Sequence, residues 1–276
     1  MDGSRAVALR AEAQAWWPSI VVALPCVLLG PHATTLLCAL LSELALRDFL
    51  MRAPTRAADR TAISAAFLVA LPLQYALAWI GHAGLFAAFL PVYGGIVLAA
   101  MAAFAQDREH LLARVATLQF AVMVFVFGLS HVAALATLRL PGFDAHHGAL
   151  LAWFLLVALL ADELRAACGK WFGKHAIAPA LGLDTSWEGL AGGAVLACGA
   201  GVAAHRLTPF APAQAAVLAA AVVLAGLLGR LALATAGRML GIKARGAGHA
   251  GVLDRVDAVV FAAPVFFHLV RFWFAA

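Results

Sequence analysis

Ala215-Ala-Val-Leu-Ala-Ala-Ala-Val-Val-Leu-Ala-Gly-Leu-Leu-Gly229 runs fifteen residues without a polar side chain, inside an apolar stretch that extends from 213 to 236. That stretch has the length, about 20 residues, that an α-helix needs to cross a bilayer. It does not alternate, so it is not a barrel strand, whose side chains switch between lipid and lumen at every step. In hydrocarbon the backbone must satisfy its own polar groups, which leaves the helix. The rest of the chain repeats the pattern. Of 276 residues, 64% are hydrophobic and 12% charged, about half the ~25% charged share of an ordinary soluble domain. The expected fold is all-α, a polytopic membrane helical bundle.

Working outward from 213–236, apolar runs predict about nine spans, near 14–31, 33–47, 62–80, 83–104, 115–138, 148–164, 189–205, 213–236 and 258–275. Only Gly30-Pro31-His32 separates the first two, so a re-entrant pair is the alternative there. Short cytoplasmic loops collect Lys and Arg, and nine spans sort the 19 basic residues unevenly. Sixteen fall on one side: Arg5 and Arg10; Arg47, Arg52, Arg56 and Arg60; Arg108 and Arg114; Arg165, Lys170 and Lys174; Arg230, Arg238, Lys243, Arg245 and Arg255. Three, Arg139, Arg206 and Arg271, fall on the other. This places the N-terminus in the cytoplasm and the C-terminus outside, in a cell inner membrane with the active face cytoplasmic. A cleaved signal peptide over 1–31 is the rival reading. No small-x-small site precedes a polar mature start, and cleavage would spoil the charge asymmetry, so the segment reads as a retained anchor. No repeat or separate soluble segment stands out, and one membrane domain over 1–276 is expected. Cys26, Cys38, Cys168 and Cys198 form no C-x-x-C pair and read as small buried apolar groups.

Two loops on the basic side, near 165–188 and 237–257, are longer than connectors need to be. The first offers Lys170, Lys174 and His175 among glycines, which suits phosphate oxygens where backbone approaches closely; a solvated loop obeying the charge rule is the plainer alternative. In the second, Asp254 and Asp257 stand three apart and share a face if helical. Carboxylates there suit Mg²⁺, which takes one or two of them and completes its shell with water and phosphate. They equally suit the favourable end of a helix dipole. Two smaller features have structural readings: Glu43 and Arg47 at the spacing of an intrahelical pair, and His131 beside Ser130 in mid-span, expected to bond to a neighbouring helix.

The stretch Gly248-His-Ala-Gly-Val-Leu-Asp-Arg-Val-Asp257, followed by Ala262-Ala-Pro-Val-Phe-Phe, resembles the G-H-G-G-x-L-D-R-x-D signature of the phosphatidate cytidylyltransferases, or CDP-diacylglycerol synthases. Upstream, Gly169-Lys-Trp-Phe-Gly-Lys-His and Trp187-Glu-Gly resemble that family's G-K-x-F-G-K-H and K-T-W-E-G segments, in the same order. The resemblance covers 161–271. It implies transfer of a cytidylyl group from CTP to phosphatidic acid or a related lipid phosphate, giving CDP-diacylglycerol and pyrophosphate in phospholipid biosynthesis, with Mg²⁺ as cofactor. It implies a metal held by Asp254, Asp257 and Asp162, with Lys243, Arg255 and His249 beside the reacting phosphates. Lys170, Lys174, His175, Glu188, Arg238 and Arg230 would bind substrate. The partners expected are CTP, the lipid phosphate and membrane lipid, with a homodimer left open and no nucleic acid.

The chain also departs from the family pattern. Gly229-Arg230 stands where the family has Gly-Asp, Ala234 and Gly237-Arg238 where it has serine and then Lys-Arg, and Lys243-Ala244 where it has Lys-Asp. About four residues are missing before His249, and Asp184-Thr185-Ser186 replaces Lys-Lys-Thr. Arginine in place of a metal-binding carboxylate reverses the local charge, so one ion rather than two is expected, with the guanidinium gripping phosphate in place of the other. The alternatives are a non-catalytic relative that binds lipid or a partner enzyme, and a small transporter. The second predicts paired repeats with broken helices, which the sequence does not show.

Overall fold

The computed structural model describes residues 24–104, 107, 109–143, 147–179, 185–241 and 253–274, with backbone alone at 147, 253–256 and 258. Eight helical rods carry most of the described chain: α1 Gly30–Arg52, α2 Ala57–Ile80, α3 Ala83–Phe104, α4 Leu111–Thr137, α5 His147–Phe172, α6 Trp187–Ala203, α7 Pro212–Met239 and α8 Leu253–Phe274. Among the described residues there is no strand, only isolated bridges at Leu140–Phe143 and Ala176–Ser186. Four rods, α2, α3, α4 and α7, are long and apolar enough to cross a membrane. The expected span 14–31 lies outside the described residues up to 23.

Several boundaries differ from the sequence reading, for identifiable reasons. The span expected to stop at 47 continues to Arg52, because nothing breaks the helix before Pro54 and Asp48 pairs with Arg52 at 2.5 Å. That pair replaces the expected one: Glu43 is exposed and makes no ion pair with Arg47 among the described residues. The loop read from 165 begins only at Gly173, since α5 stays helical through Phe172. Lys170 therefore projects from a helix. Three rods widen locally into π-helix, at 66–70, 89–94 and 122–128. Proline at 72 or 91 lies in or just beyond two of these segments, and its missing N–H disturbs the regular ladder. In the third, the Phe125 carbonyl accepts a hydrogen bond from Ser42 at 2.6 Å, while Tyr75 donates to the Cys38 carbonyl at 2.9 Å. Together with the Ser42–Tyr75 contact at 2.6 Å, these bonds tie α1, α2 and α4 through their buried centres.

His131 also bonds differently from expectation. Its Nδ1 bonds the Phe127 carbonyl of its own helix at 2.7 Å, and its ring packs against Phe86, Phe127 and Phe267. Neighbouring Ser130 is the one that crosses helices, accepting from Gln74 Nε2 of α2 at 3.1 Å.

The C-terminal four rods are joined through glycine. A Cβ on Gly193 would come within 2.6 Å of the Arg165 backbone, and one on Gly189 within 2.7 Å of the Arg165 carbonyl. α5 and α6 therefore touch backbone to backbone beside Arg165. On α7, a Cβ on Gly229 would meet the Phe261 ring of α8 at 2.5 Å, and on α4 a Cβ on Gly128 would collide with the Val260 carbonyl. α8 is thus clamped between the two halves of the bundle. Small residues at such crossings let membrane helices gain dispersion contact where no hydrophobic drive distinguishes neighbour from lipid. Gly199, on the same helix as Gly193, faces open space. Gly193→Leu is expected to cost about 1–3 kcal/mol through overpacking, whereas Gly199→Leu should be near neutral. Detergent-induced unfolding midpoints of the two variants check this, and equal midpoints would contradict it.

Candidate active site

α5 begins this site because its last turns carry charge at the end of a long apolar run. Asp162 and Arg165 lie three apart on one face, and Arg165 donates to Asp162 Oδ1 at 2.8 Å. The glycine contact with α6 presses Arg165 inward until it is buried, and its other terminal nitrogen reaches the buried Thr185 hydroxyl at 3.1 Å. From α7, Arg230 donates to the same Asp162 oxygen at 2.5 Å. From α8, Asp257 sits 3.4 Å from Arg230 and is itself buried. The Gly229–Phe261 contact sets the close approach of α7 and α8 beside this pair. Three helices thus converge on a chain that reads Thr185, Arg165, Asp162, Arg230, Asp257, alternating in charge after its first member. Beside it, between α5, α6 and α7, lies a cavity of about 20 Å³ lined in part by Asp162, Arg165 and Arg230, which is room for about one water.

The loop after α5 is shaped by Glu188. One carboxylate oxygen accepts the backbone N–H groups of Lys174 at 3.0 Å and His175 at 3.2 Å; the other contacts His175 Nδ1 at 2.5 Å. Glu188 precedes the apolar stretch 189–205, and the Lys174 amide, followed by the His175 side chain, holds its carboxyl down to about 2. Ionised accordingly, it fastens the Gly173-Lys174-His175 turn to the start of α6. The chain then doubles back, with Ile177 N–H donating to the Thr185 carbonyl at 2.7 Å and Trp187 N–H to the His175 carbonyl at 2.9 Å. Ser186 caps α6 by accepting from Gly189 N–H at 3.1 Å. The side chains of Lys174 and His175 are left exposed on the turn, with Lys170 exposed one turn back on α5.

Of the residues singled out from sequence, Asp162, Arg230 and Asp257 come together, and Glu188, Lys174 and His175 form a second group around the turn. The two are joined through Arg165 and Thr185. Arg238 is exposed two turns beyond Arg230 on α7. Lys243 and His249 lie outside the described residues, and Asp254 and Arg255 are described by backbone alone, in the first turn of α8. The sequence reading missed Arg165 as anything but a loop charge and did not single out Thr185. The signal available was the helical spacing of Asp162 and Arg165.

A bridging guanidinium decides which metal arrangement these residues suit. Asp162 and Asp257, the two carboxylates with described side chains, both face Arg230. A cation therefore already stands between them, and among the described residues no group of three or more metal-ligating side chains occurs. The pair does not suit an ion bridging the two carboxylates. One ion completing its shell with phosphate oxygens needs only one or two carboxylates, which the start of α8 supplies in sequence. Removing Asp162 would leave Arg165 and Arg230 facing each other without their shared acceptor. Asp162→Leu is expected to destabilise by about 1–3 kcal/mol, since loss of one partner leaves part-buried charge uncompensated. Combined with Arg230→Met, which also strips Asp257 of this partner, the loss should be smaller than the sum of the two single losses, as read from unfolding midpoints; strictly additive losses would contradict the Asp162–Arg230 pairing.

Residues 11–273 match the model of the cytidylyltransferase family. An uncharacterised protein of Escherichia coli strain K12, YnbB, is 32% identical over 267 residues, which is 93% of this chain and 85% of that protein. A phosphatidate cytidylyltransferase of Mycobacterium leprae is 36% identical over 125 residues, 43% of this chain and 39% of the relative. One of Haemophilus influenzae is 31% identical over 163 residues, 52% of this chain and 55% of the relative. The chain therefore matches just over half, or less, of the length of these two named enzymes.

Proposed function

Because the chain belongs to the cytidylyltransferase family, we propose that it transfers a cytidylyl group from CTP to phosphatidic acid or a related lipid phosphate. In this reading a lipid phosphate oxygen attacks the α-phosphorus of CTP, the bond to the β-phosphate bridging oxygen breaks, and pyrophosphate leaves. The products are a CDP-lipid and pyrophosphate. Both reactants are anions, so the protein's main task is to offset their repulsion with positive charge set in place beforehand. The observation that carries the reading is the convergence of Asp162, Arg230 and Asp257 from three helices, next to the turn held by Glu188.

Roles follow from the surroundings of the described groups and, for Lys243, His249, Asp254 and Arg255, from the family resemblance alone. Arg230 stands where a second cation would be needed, with one guanidinium edge on the two carboxylates. Lys170, Lys174 and His175, exposed on α5 and the glycine turn, meet the triphosphate. Arg165 is a positioning residue, buried and holding Asp162 and Thr185. Arg238, Lys243, His249 and Arg255 contribute further positive charge to the anionic substrates. Asp254 and Asp257 would hold a single Mg²⁺ against phosphate oxygens, with Asp162 steadied by the arginines. Such an ion, when bound, draws electron density from the phosphate and lowers the charge the attack must overcome.

In the proposed topology nine spans leave the N-terminus, the 173–186 loop and the start of α8 in the cytoplasm of an inner membrane, where CTP is available. Support comes from the uneven charge distribution, with 16 of 19 basic residues on that side. Arg56→Cys should then react with an impermeant maleimide only from the cytoplasmic face, and Arg206→Cys only from the opposite face. Labelling of both from one face would contradict the topology.

The activity itself is tested with purified protein, labelled CTP, Mg²⁺ and phosphatidic acid. CDP-lipid should form, and Asp254→Asn should lower the rate on the order of 10²-fold, the size of loss that follows removal of one preorganised electrostatic contact to a transition state. Absence of product across several lipid phosphates and metals would favour a non-catalytic relative. That second reading rests on Arg230, which neutralises carboxylates that a two-ion site would use.

A further inference from the structure

At the end of the bundle opposite the Arg230 network lies a cavity of about 510 Å³, far larger than the space of about 20 Å³ beside that network. It is formed where the start of α1, the α2–α3 turn, the end of α4 and the end of α8 meet, and its lining includes His32, Trp79, Thr137, Arg139 and Arg271. Cavities of roughly 300–1,000 Å³ are the size that small ligands occupy. Arg139 and Arg271 are two of the three basic residues that the charge distribution leaves on this side. They come from segments more than a hundred residues apart, and the fold brings both to one cavity. Among the described residues no acid pairs with either. Of the 14 acidic residues, the same topology assigns only Asp144 to this side, and it lies outside the described residues.

Two guanidiniums lining one cavity, on a face otherwise poor in cations, carry a physical implication. Arginine near the end of a membrane helix reaches its guanidinium to the interface, the level of lipid headgroups, and planar guanidinium forks match phosphate oxygens in pairs. One wall of the cavity is flat and aromatic: the His32 and Trp79 rings stack with centroids 4.1 Å apart. Next to it, Leu29 and Ile80 are largely exposed at 65% and 68%, so the apolar flank continues outward from the charged interior.

We propose that this cavity is a binding site for a phosphate group, clamped by Arg139 and Arg271, separate from the site proposed for transfer. The phosphate has two possible carriers, a phospholipid headgroup entering from the bilayer or a soluble phosphate, and the experiment separates them. Protein in detergent is titrated with phosphatidylglycerol, a phosphodiester lipid, and separately with inorganic phosphate. Binding is followed by native mass spectrometry for the lipid and by shift of the unfolding midpoint for both.

Wild type is expected to retain phosphatidylglycerol, and Arg139→Gln/Arg271→Gln to weaken retention roughly 10- to 100-fold, the loss expected for one or two charge-assisted hydrogen bonds. Arg206→Gln, which removes the third base of the same face, should leave it unchanged. Arg139→Lys/Arg271→Lys, which keeps the charge without the fork, should give intermediate retention and guards against a misfolded glutamine variant. Stabilisation by inorganic phosphate alone, lost in the same double variant, assigns the clamp to a soluble carrier. Retention unaffected by the double glutamine variant, or weakened equally by Arg206→Gln, would overturn the site.

Discussion

Two carboxylates from different helices, Asp162 and Asp257, face one guanidinium, Arg230. Charge this far into a helical bundle persists only when it is paired and hydrogen-bonded, so Arg230 fixes how closely α5, α7 and α8 approach at the basic end. The second arginine, Arg165, extends the same pairing to Thr185 and so to the loop after α5. These pairs add a directional preference that apolar surface alone does not supply, since lipid is as good an apolar neighbour as another helix.

Glycine makes that electrostatic arrangement reachable. Gly189 and Gly193 bring α6 against the Arg165 backbone, and Gly229 brings α7 against Phe261 one turn from Asp257. Each contact sits within one turn of a charged member of the network. Packing and charge therefore specify the same geometry, the agreement between levels that marks a foldable sequence. Glu188 does comparable work for the loop, spending its carboxylate on two backbone amides and the His175 ring.

Helical class and membrane character were legible in the sequence because apolar run length is a direct readout of the solvent around a helix, as at 213–236. Helix ends were less legible. Polar residues such as Arg165 and Lys170 read as loop, although α5 continues through them to Phe172, because hydropathy marks where a helix leaves lipid and not where it stops. The grouping of Asp162 with Asp257 followed only from the family resemblance. Arg165 was open to a spacing argument, three residues after Asp162 on one helix, but it read as a loop charge; Thr185 escaped notice because its partner lies 20 residues away on another segment, and no spacing rule reports such contacts. His131 shows the same limit: its own helix supplied the acceptor that a neighbour was expected to give.

Whether Arg230 acts as a built-in cation is the claim on which the account turns. The most direct measurement is the number of Mn²⁺ ions bound per chain in the presence of CTP, by electron paramagnetic resonance, in wild type and in Arg230→Asp. One ion in wild type and two in the variant is the predicted result. Two ions in wild type, or no nucleotide-dependent binding at all, would contradict it.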